Sequence, residues 1–237
     1  MDFHDRVAVI TGATGGLGRV VARQFGEAGA RLALLSSNQD NLNRLVDELS
    51  LPADRWLTKA LDFRNPDAAK NAAQATVDKF GRADILVHLI GGWTGGKPLV
   101  EVEPNQLEEM IQQHVWTTFY LAQSFVPIFH ANHWGRMVVI SSTNAGMPSA
   151  KSAPYAAAKS AQEALILALA QEVKGSGVTA NIIRVQTIDV KHQRDQEPSP
   201  KNAFWTTPEE IAAAICYLCS DEGGMVNGAR IPLYGSP

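Results

Sequence analysis

Three residues of types suited to acid–base chemistry, Ser142, Tyr155 and Lys159, lie close together in the sequence. Ser142 ends an apolar, β-branched run that predicts a buried strand, whereas Tyr155 and Lys159 lie in an Ala/Leu-rich segment that predicts a helix. Positions four apart on a helix share a face. We therefore predict that the Lys159 ammonium lowers the pKa of Tyr155 from its ordinary value near ~10. Ser142 would hydrogen-bond a substrate oxygen beside the phenol, an arrangement that suits interconversion of a carbonyl and an alcohol.

The Tyr155–Lys159 pair also has a plain interpretation, because tyrosine and lysine four apart on a helix are common without function. A glycine-rich stretch near the amino end favours the functional interpretation. There the apolar run Val7–Thr11 leads into Gly12-Ala13-Thr14-Gly15-Gly16-Leu17-Gly18, and a helical pattern begins. Glycines at such a turn let the backbone approach a pyrophosphate, whose charge lies at the amino end of the helix. A tight turn without a ligand is the alternative.

The composition is that of a single domain with a substantial core. The chain has 237 residues, of which 45% are hydrophobic and 19% charged, with a formal net charge of −3. This charge is too near neutral to indicate a nucleic-acid or anionic-membrane surface. No leader pattern and no apolar run of bilayer length occurs, so we expect a soluble, cytoplasmic protein. Cys216 and Cys219 lie in an apolar helical pattern without a second pair or a histidine cluster, which favours buried structural thiols over a metal site.

Strand-like and helical segments alternate along the chain, and this alternation predicts a parallel sheet with helices on both faces. Such a sheet is doubly wound, and ligands bind beyond the carboxyl ends of its strands. We predict a single α/β domain of about seven strands over residues 1–237. The predicted strands are Val7–Thr11, Arg31–Leu35, Trp56–Leu61, Ile85–Ile90, Met137–Ser141, Thr179–Arg184 and Arg230–Leu233. The predicted helices are 16–28, 39–49, 66–80, 104–131, 153–175 and 208–219.

The motifs together resemble those of the short-chain dehydrogenase/reductase family. The glycines follow the family's T-G-x-x-x-G-x-G form from Thr11, Tyr155 and Lys159 match Y-x-x-x-K, and Ser142 lies thirteen residues before the tyrosine. The resemblance covers nearly the whole chain and implies a Rossmann fold. It also implies that Tyr155 is the general acid/base and that Ser142 orients the substrate oxygen. Lys159 would hold the nicotinamide ribose and tune the tyrosine.

Cofactor choice depends on the end of the second predicted strand, where a carboxylate would hold the 2′-hydroxyl of NAD. The sequence there is Leu35-Ser36-Ser37-Asn38, which offers neither a carboxylate to repel a 2′-phosphate nor an arginine to bind one. Because small hydroxyl residues tolerate the phosphate, we predict NADP rather than NAD. The resemblance also implies an adenine contact by Asp62. The predicted cofactor-binding residues are Gly12, Thr14, Gly16, Leu17, Gly18, Ser36, Ser37, Asp62, Gly91, Tyr155, Lys159 and Thr187.

Two histidines mark departures from the family pattern. His88-Leu89-Ile90-Gly91 replaces the family's N-N-A-G, and we interpret His88 as a packed structural substitute. His114 holds the place of an asparagine that helps a water-mediated proton relay from the lysine. An imidazole binds water and passes protons near neutral pH, so His114 is a candidate catalytic residue. A merely structural role is the alternative.

The segment that follows the sixth predicted strand also departs from the family. Val185-Gln186 replaces P-G, and Val190 replaces the threonine that binds the nicotinamide carboxamide, so Thr187 or Asp189 would have to substitute. We predict a short substrate lid over residues 187–206.

Large side chains near the predicted pocket mouth have two interpretations. Trp93, Met147 and the pair Phe204-Trp205 either line an apolar substrate cleft or belong to ordinary packing. Nothing in the sequence names the substrate.

The function that the sequence favours is hydride transfer between NADP or NAD and a small-molecule carbonyl or secondary alcohol. The intact Ser142, Tyr155 and Lys159 support an enzyme. The substituted positions around them favour a second hypothesis, a nucleotide-sensing or scaffold protein that kept the fold and lost turnover. The resemblance further implies a homotetramer or dimer that uses the helices of 104–131 and 153–175.

Overall fold

Over the part of the chain that the structure describes, seven parallel strands form one sheet, and their carboxyl ends lie along a single edge. The computed structural model describes residues 1–234; residues 235–237, which the predicted domain includes, lie outside the described part. The strand order is β3-β2-β1-β4-β5-β6-β7. The strands are β1 Val7–Thr11, β2 Arg31–Ser36, β3 Trp56–Ala60, β4 Ile85–His88, β5 Gly135–Ser142, β6 Val178–Val185 and β7 Arg230–Leu233.

The chain reverses its direction of progress across the sheet at β1, which pairs with both β2 and β4. From β1 the chain moves outward through β2 and β3, and then returns to add β4 to β7 on the other side. Loops that leave β1 and β4 therefore diverge to opposite faces and open a crevice between them. This topology confirms the predicted doubly wound sheet.

The predicted strands are all present, but some of their ends differ. β4 stops at His88, two residues before the predicted end, because Leu89 and Ile90 leave the sheet to form a wall of the crevice. The Leu89 amide is shared between the Thr11 backbone carbonyl at 3.3 Å and the Thr11 side-chain oxygen at 3.2 Å. β5 begins at Gly135, earlier than predicted, because its ladder with β6 continues down to a Gly135–Val178 pair.

In the described residues 1–234, eight α-helices connect and flank the strands. The predicted helix of 104–131 is not continuous: it comprises α4, a π-helical turn at Gln112–Trp116, and α5. The predicted helix of 153–175 ends earlier, at Glu172. The helices are α1 Gly16–Glu27, α2 Gln39–Leu49, α3 Pro66–Phe80, α4 Pro104–Ile111, α5 Thr117–Ala131, α6 Ala153–Glu172, α7 Gln193–Gln196 and α8 Pro208–Cys219.

The helices form two layers, one on each face of the sheet. Alternate residues of β1 show this arrangement, because Ala8 and Ile10 pack against α1, α2 and α8, whereas Val7 and Val9 pack towards α3, α5 and α6. Both faces are apolar, as expected for parallel strands that are buried on each side. The sheet is thus a rigid central layer whose exposed carboxyl edge carries the loops of the site.

Within residues 1–234, no helix combines the length and apolar character needed to cross a bilayer. The two cysteines, Cys216 and Cys219, are free thiols buried in α8. Burial raises the pKa of the Cys216 thiol to about 11, so it is protonated and unreactive at neutral pH. This placement confirms the predicted burial of both thiols.

Candidate active site

Two adjoining cavities lie at the carboxyl edge of the sheet. The inner cavity, of about 390 Å³, is lined by the glycine turn, by Tyr155 and Lys159, and by the start of the 187–206 segment. The outer cavity, of about 770 Å³, extends from the same glycine turn past Ser36 and Asp62. Gly12, Gly15 and the segment 89–93 line both cavities, so the two form one continuous cleft. Its length and its position at the topological switch suit a dinucleotide.

The glycine turn between β1 and α1 has no room for side chains. Gly12 adopts a φ of +68°, and a Cβ on it would lie 3.1 Å from the Leu89 carbonyl carbon. A Cβ on Gly18 would lie 2.2 Å from the Gly12 carbonyl oxygen, which is far inside contact distance. No side chain caps the amino end of α1 at Gly15. Its first amide groups therefore remain available for an anionic ligand such as a pyrophosphate.

The outer cavity carries hydroxyl groups where an acidic residue would select NAD. The Ser36 and Thr14 hydroxyl oxygens lie 2.7 Å apart and hydrogen-bond each other, and Ser37 lines the same wall. The Asp62 carboxylate accepts from the Arg64 guanidinium at 2.7 Å, which lowers the pKa of Asp62. Asp62 and Arg64 thus form an ion pair that lines the outer cavity.

Tyr155 lies on α6 and lines the inner cavity, but its electrostatics differ from the prediction. Burial raises the pKa of the phenol, and a hydrogen bond with Ser142 only partly opposes this rise. The Lys159 Nζ lies 5.9 Å from the centroid of the Tyr155 ring. The prediction that Lys159 lowers the pKa of Tyr155 is therefore wrong for the protein without ligand, because desolvation of the phenolate outweighs the distant ammonium.

Lys159 is buried, and its ammonium donates to two protein acceptors rather than to the phenol. Nζ donates to the Ile140 carbonyl at 2.7 Å and to the Gln162 side-chain oxygen at 2.9 Å. Burial lowers the pKa of Lys159 to about 7. The face shared by Tyr155 and Lys159 was predicted correctly from their spacing, and both residues line the inner cavity.

Ser142 is the last residue of β5, and its side chain is buried. Its hydroxyl oxygen accepts from the Asn144 amide at 3.2 Å, which orients the serine. The preceding Ser141 points to the other side of the strand and donates to the Glu163 carboxylate at 2.7 Å. The two consecutive serines therefore differ in their contacts. Ser141 lines the inner cavity and bonds Glu163, whereas Ser142 bonds the Asn144 amide and does not line that cavity.

His114 lies in the π-helical turn and is fully buried against Tyr155, with ring centroids 5.5 Å apart in an edge-on arrangement. Its Nε2 lies 3.0 Å from the Gly92 carbonyl oxygen and must carry the hydrogen, since a carbonyl only accepts. Burial and the Lys159 charge lower the pKa of His114 to about 3. A neutral ring whose N–H ends on a carbonyl does not pass protons at neutral pH. These contacts favour packing over the relay as the role of His114.

His88 has hydrogen-bond partners for both ring nitrogens. Nδ1 lies 2.9 Å from the Thr11 hydroxyl oxygen, and Nε2 lies 3.3 Å from that of Thr117. The imidazole therefore links the end of β1 to the start of α5. Burial lowers its pKa to about 3, so it is neutral. The structure agrees with the interpretation of His88 as a packed structural substitute.

The two suggested substitutes for the missing threonine have different positions. Thr187 lines the inner cavity, together with Val185 and Val190. Asp189 is buried, and its carboxylate accepts from the backbone amides of Gln193 and Arg194, so it caps the short helix α7. The Asp189 carboxylate is therefore committed to contacts within the 187–206 segment, and only Thr187 remains a candidate for the nicotinamide carboxamide.

The 187–206 segment folds over the amino end of α8 and is attached to it by ion pairs. Arg194 donates to the Glu210 carboxylate at 2.8 and 3.0 Å. The His192 Nε2 lies 2.9 Å from the Glu209 carboxylate oxygen. Val190 contacts the turn: its methyl carbons lie 2.6 and 2.8 Å from the position that a Cβ on Gly16 would take. The segment thus borders the turn without closing the inner cavity.

The large apolar residues predicted near the pocket mouth have mixed positions. Trp93 lines both cavities, at their junction. Met147 is 83% exposed and Phe204 44% exposed, and neither lines the inner cavity. Of this group only Trp93 is placed to contact a bound ligand.

Sequence reasoning missed several polar residues behind the site. Gln162 and Glu163 are buried on α6, next to Lys159, and Thr118 is buried at the start of α5. Their sequence signal is weak but present: Gln162 and Glu163 are polar residues within the apolar stretch that follows Lys159. They lie three and four positions after the lysine, so they had to face the same side of the helix.

Comparison with known proteins gives consistent matches along the chain. A family model described as short chain dehydrogenase matches residues 6–201. The chain is 30% identical to the hydroxy(phenyl)methylsuccinyl-CoA dehydrogenase subunit BbsD of Thauera aromatica, over 99% of this chain and 97% of the relative. It is 28% identical to 2,3-dihydroxy-2,3-dihydro-p-cumate dehydrogenase of Pseudomonas putida, over 99% and 95%.

Solved structures match over almost the same extent. A 3-ketoacyl-(acyl-carrier-protein) reductase from Brucella melitensis complexed with NADH has a TM-score of 0.86 and 25% identity, with 96% of each chain covered. An NADPH-bound short chain oxidoreductase with an atypical catalytic center, from Pseudomonas aeruginosa, has a TM-score of 0.88 at 22% identity. It covers 98% of this chain and 96% of that one, and at this identity it shows the likeness of fold alone.

Proposed function

The chain belongs to the short-chain dehydrogenase family and is an NAD(P)-dependent oxidoreductase, and from this premise we propose which residues perform the reaction. The reaction is hydride transfer between a nicotinamide cofactor and a carbonyl or secondary alcohol. The observation that carries the assignment is the meeting of Tyr155, Lys159 and the glycine turn around one cavity. We assign the chemistry to this inner cavity.

The cleft fits a dinucleotide at three places. The pyrophosphate would lie on the uncapped amino end of α1, where Gly12, Gly16 and Gly18 leave the backbone open. The adenosine would occupy the outer cavity beside Ser36, Ser37 and Asp62, and Thr14 and Leu17 border the path between. The nicotinamide would enter the inner cavity next to Gly91 and Thr187. When bound, it supplies or accepts the hydride.

The raised pKa of Tyr155 supports a role for the neutral phenol as the acid that protonates a carbonyl oxygen during reduction. Ser142 would hold the same oxygen through its hydroxyl. In the oxidising direction the phenol must first lose its proton, and the charged form of Lys159 stabilises the resulting phenolate. The protein without ligand is therefore better prepared for reduction than for oxidation.

We also propose NADP as the preferred cofactor. Ser36 and Ser37 present no negative charge to a 2′-phosphate. Arg64 is the only basic side chain among the described residues that line the outer cavity, and it is 73% exposed and held in place by Asp62. Its position gives the outer cavity a cation that the sequence at the end of β2 lacks. Relatives bound to NADH and to NADPH occur, so the choice rests on these residues.

A sensor or scaffold without turnover is the second candidate. Its support is the Lys159 ammonium, which is bonded to Ile140 and Gln162 rather than to the phenol, together with the neutral His114. The open inner cavity, which Tyr155 and Lys159 line, and the presence of Ser142 in the sequence favour the enzyme.

Three further features remain proposals. The 187–206 segment acts as a substrate lid, supported by its attachment to α8 and its contact with the glycine turn. The chain forms a dimer or tetramer through α5 and α6, which share a partly apolar groove of about 300 Å³. The protein is cytoplasmic, supported by its near-neutral composition.

A titration with both reduced cofactors, followed by a broad screen of ketones and aldehydes, tests the function. We expect fluorescence titration to show tighter binding of NADPH than of NADH, and carbonyl-dependent oxidation of the bound cofactor. Binding without turnover of any carbonyl or alcohol would favour the sensor. Failure to bind either dinucleotide would contradict both the enzyme and the nucleotide sensor and would leave the scaffold.

A further inference from the structure

The Lys159 ammonium has most of its hydrogen-bonding capacity committed to the protein. An ammonium carries three donors, and two of them are used, by the Ile140 carbonyl at 2.7 Å and by Gln162 Oε1 at 2.9 Å. The side chain is 5% exposed, so water does not compete for these contacts. One N–H group is left for a ligand in the inner cavity, which Lys159 lines.

The orientation of the Gln162 amide is fixed by a second hydrogen bond. Its Nε2 donates to the Thr118 hydroxyl oxygen at 2.8 Å, and the Thr118 hydroxyl in turn donates to the His114 carbonyl at 2.6 Å. Because the threonine proton is used on that carbonyl, the hydroxyl accepts from the amide nitrogen. The amide oxygen must then face Lys159. Gln162 and Thr118 are 1% and 0% exposed, so this arrangement is held in the core.

The irregular turn before α5 provides the far end of this chain of hydrogen bonds. The π-helical segment Gln112–Trp116 widens the helix, because its backbone hydrogen bonds join residues five apart. Two successive threonine hydroxyls also bond to carbonyls of this segment: Thr117 donates to that of Gln113, and Thr118 to that of His114. The π-helical turn is thereby connected through Thr118 and Gln162 to Lys159 on α6.

We propose that Gln162 is a positioning residue for hydride transfer: its amide oxygen, locked by Thr118, holds the Lys159 ammonium so that a single N–H points to the nicotinamide ribose. This inference rests on the proposed function, because it assigns Lys159 to the cofactor. It goes beyond that function in naming a residue that touches neither cofactor nor substrate. Ile140 contributes only a backbone carbonyl, so Gln162 is the side chain on which the position of the Lys159 ammonium depends.

The charges around Lys159 make the effect of Gln162 measurable. Burial lowers the pKa of the lysine to about 7, and the Glu163 carboxylate on α6 raises it. His88 from β4 and His114 from the π-helical turn are neutral, each with a pKa near 3, and the Tyr155 phenol is neutral too. A hydrogen-bond acceptor favours the charged form of an ammonium. Loss of the Gln162 oxygen therefore lowers the pKa of Lys159, and a carboxylate in its place raises it.

The test measures the titration of Lys159 directly in the protein without cofactor, by NMR of isotope-labelled lysine side chains. The Lys159 signal is identified by its disappearance in Lys159→Met. We expect Gln162→Leu to lower the midpoint by about one pH unit, since one hydrogen bond to a charged group and one unit of pKa have comparable free energies. Gln162→Glu should move the midpoint upward. Gln171→Leu, the same change at an exposed position of α6, should leave it in place.

Shifts of opposite sign in the two Gln162 variants are a result that loss of packing alone does not produce. Equal midpoints in all variants, or shifts of the same sign in Gln162→Leu and Gln162→Glu with the fold retained by circular dichroism, would overturn the proposal. A parallel fluorescence titration with NADPH separates the two levels of inference. Opposite shifts without dinucleotide binding would support Gln162 as the residue that holds Lys159 but would refute hydride transfer. Dinucleotide binding without these shifts would support the proposed function but would overturn the role of Gln162.

Discussion

The protonation states of single residues decide what the site does before a cofactor arrives. Tyr155 is a neutral phenol whose pKa is raised by burial, and Lys159 is an amine whose pKa is lowered to about 7 by the same cause. Both shifts disfavour charge, as expected where a low-dielectric core surrounds ionisable groups. A bound dinucleotide changes this balance, because its negative pyrophosphate and ribose oxygens favour the ammonium.

Replacement of Tyr155 by phenylalanine tests its role as the acid. We expect Tyr155→Phe to lower kcat by about a hundred- to ten-thousand-fold, the usual range for loss of a general acid, with the Kd of NADPH changed by less than about two-fold. The phenyl ring keeps its packing against His114, so the fold should be retained. Stopped-flow or steady-state rates and a fluorescence titration provide the two measurements. Activity near that of the parent protein would show that another group supplies the proton.

Cofactor binding should take up protons at Lys159. At about pH 8 an amine with a pKa near 7 is mostly neutral, and binding that favours the ammonium must draw a proton from the buffer. Below about pH 6 the amine is already charged, and the uptake should vanish. Calorimetric titrations with NADPH in buffers of different ionisation enthalpy measure the number of protons taken up on binding. Lys159→Met is the control, and uptake that persists in it would exclude the lysine as the source.

Arg64 is the residue to change for cofactor preference. Because it is the only basic side chain among the residues described around the outer cavity, Arg64→Leu should weaken NADPH binding about ten-fold, a modest loss for a partly exposed charge contact to phosphate. The Kd of NADH should stay within about two-fold. Arg44→Leu, at an exposed position of α2, is the matched control. A parallel loss for both cofactors would assign Arg64 to adenine or to the fold instead.

At the scale of elements, the glycine turn and α1 form one unit that leaves no room for a side chain. Gly18→Ala would force a Cβ to within 2.2 Å of the Gly12 carbonyl, so the turn must move away from its ligand-binding shape. We expect at least about ten-fold weaker binding of both dinucleotides and a lower Tm, measured by fluorescence titration and thermal unfolding. Gly26→Ala in the same helix meets side-chain methyl groups rather than backbone, those of Leu51 at 3.1 Å and of Leu32 at 3.5 Å, and should be tolerated. Equal behaviour of the two variants would contradict a ligand role for the turn.

The long predicted helix of 104–131 shows why element boundaries carry function. The apolar pattern of this stretch predicts one helix, but the structure inserts a π-helical turn at Gln112–Trp116. That turn directs His114 towards Tyr155 and places its carbonyl within reach of Thr118. In a regular α-helix, His114 and the residues after it would point in different directions around the helix axis.

At the scale of the whole molecule, the face formed by α5 and α6 is where we expect association. Phe119 and Trp116 are 36% and 43% exposed there, and Ala168 lines the groove between the helices. Ala168→Glu places a charge on this face without disturbing the core and should convert a dimer or tetramer to a smaller species by sedimentation velocity. Ala213→Glu, at an exposed position of α8, should leave the assembly unchanged. A parent protein that sediments as a monomer would refute the proposed homo-oligomer.

The sequence by itself determined the doubly wound sheet, the glycine turn and the shared face of Tyr155 and Lys159, because these features depend on local periodicity and on residues a few positions apart. It also located Asp62 and Ser36 at the cleft. Only the tertiary structure decided the proton affinities of the site, since desolvation depends on which segments cover a group. It likewise joined Gln162 to Thr118, residues 44 positions apart, behind the lysine that both support. Side chains that approach from different helices leave no spacing in the sequence by which their contact is recognised.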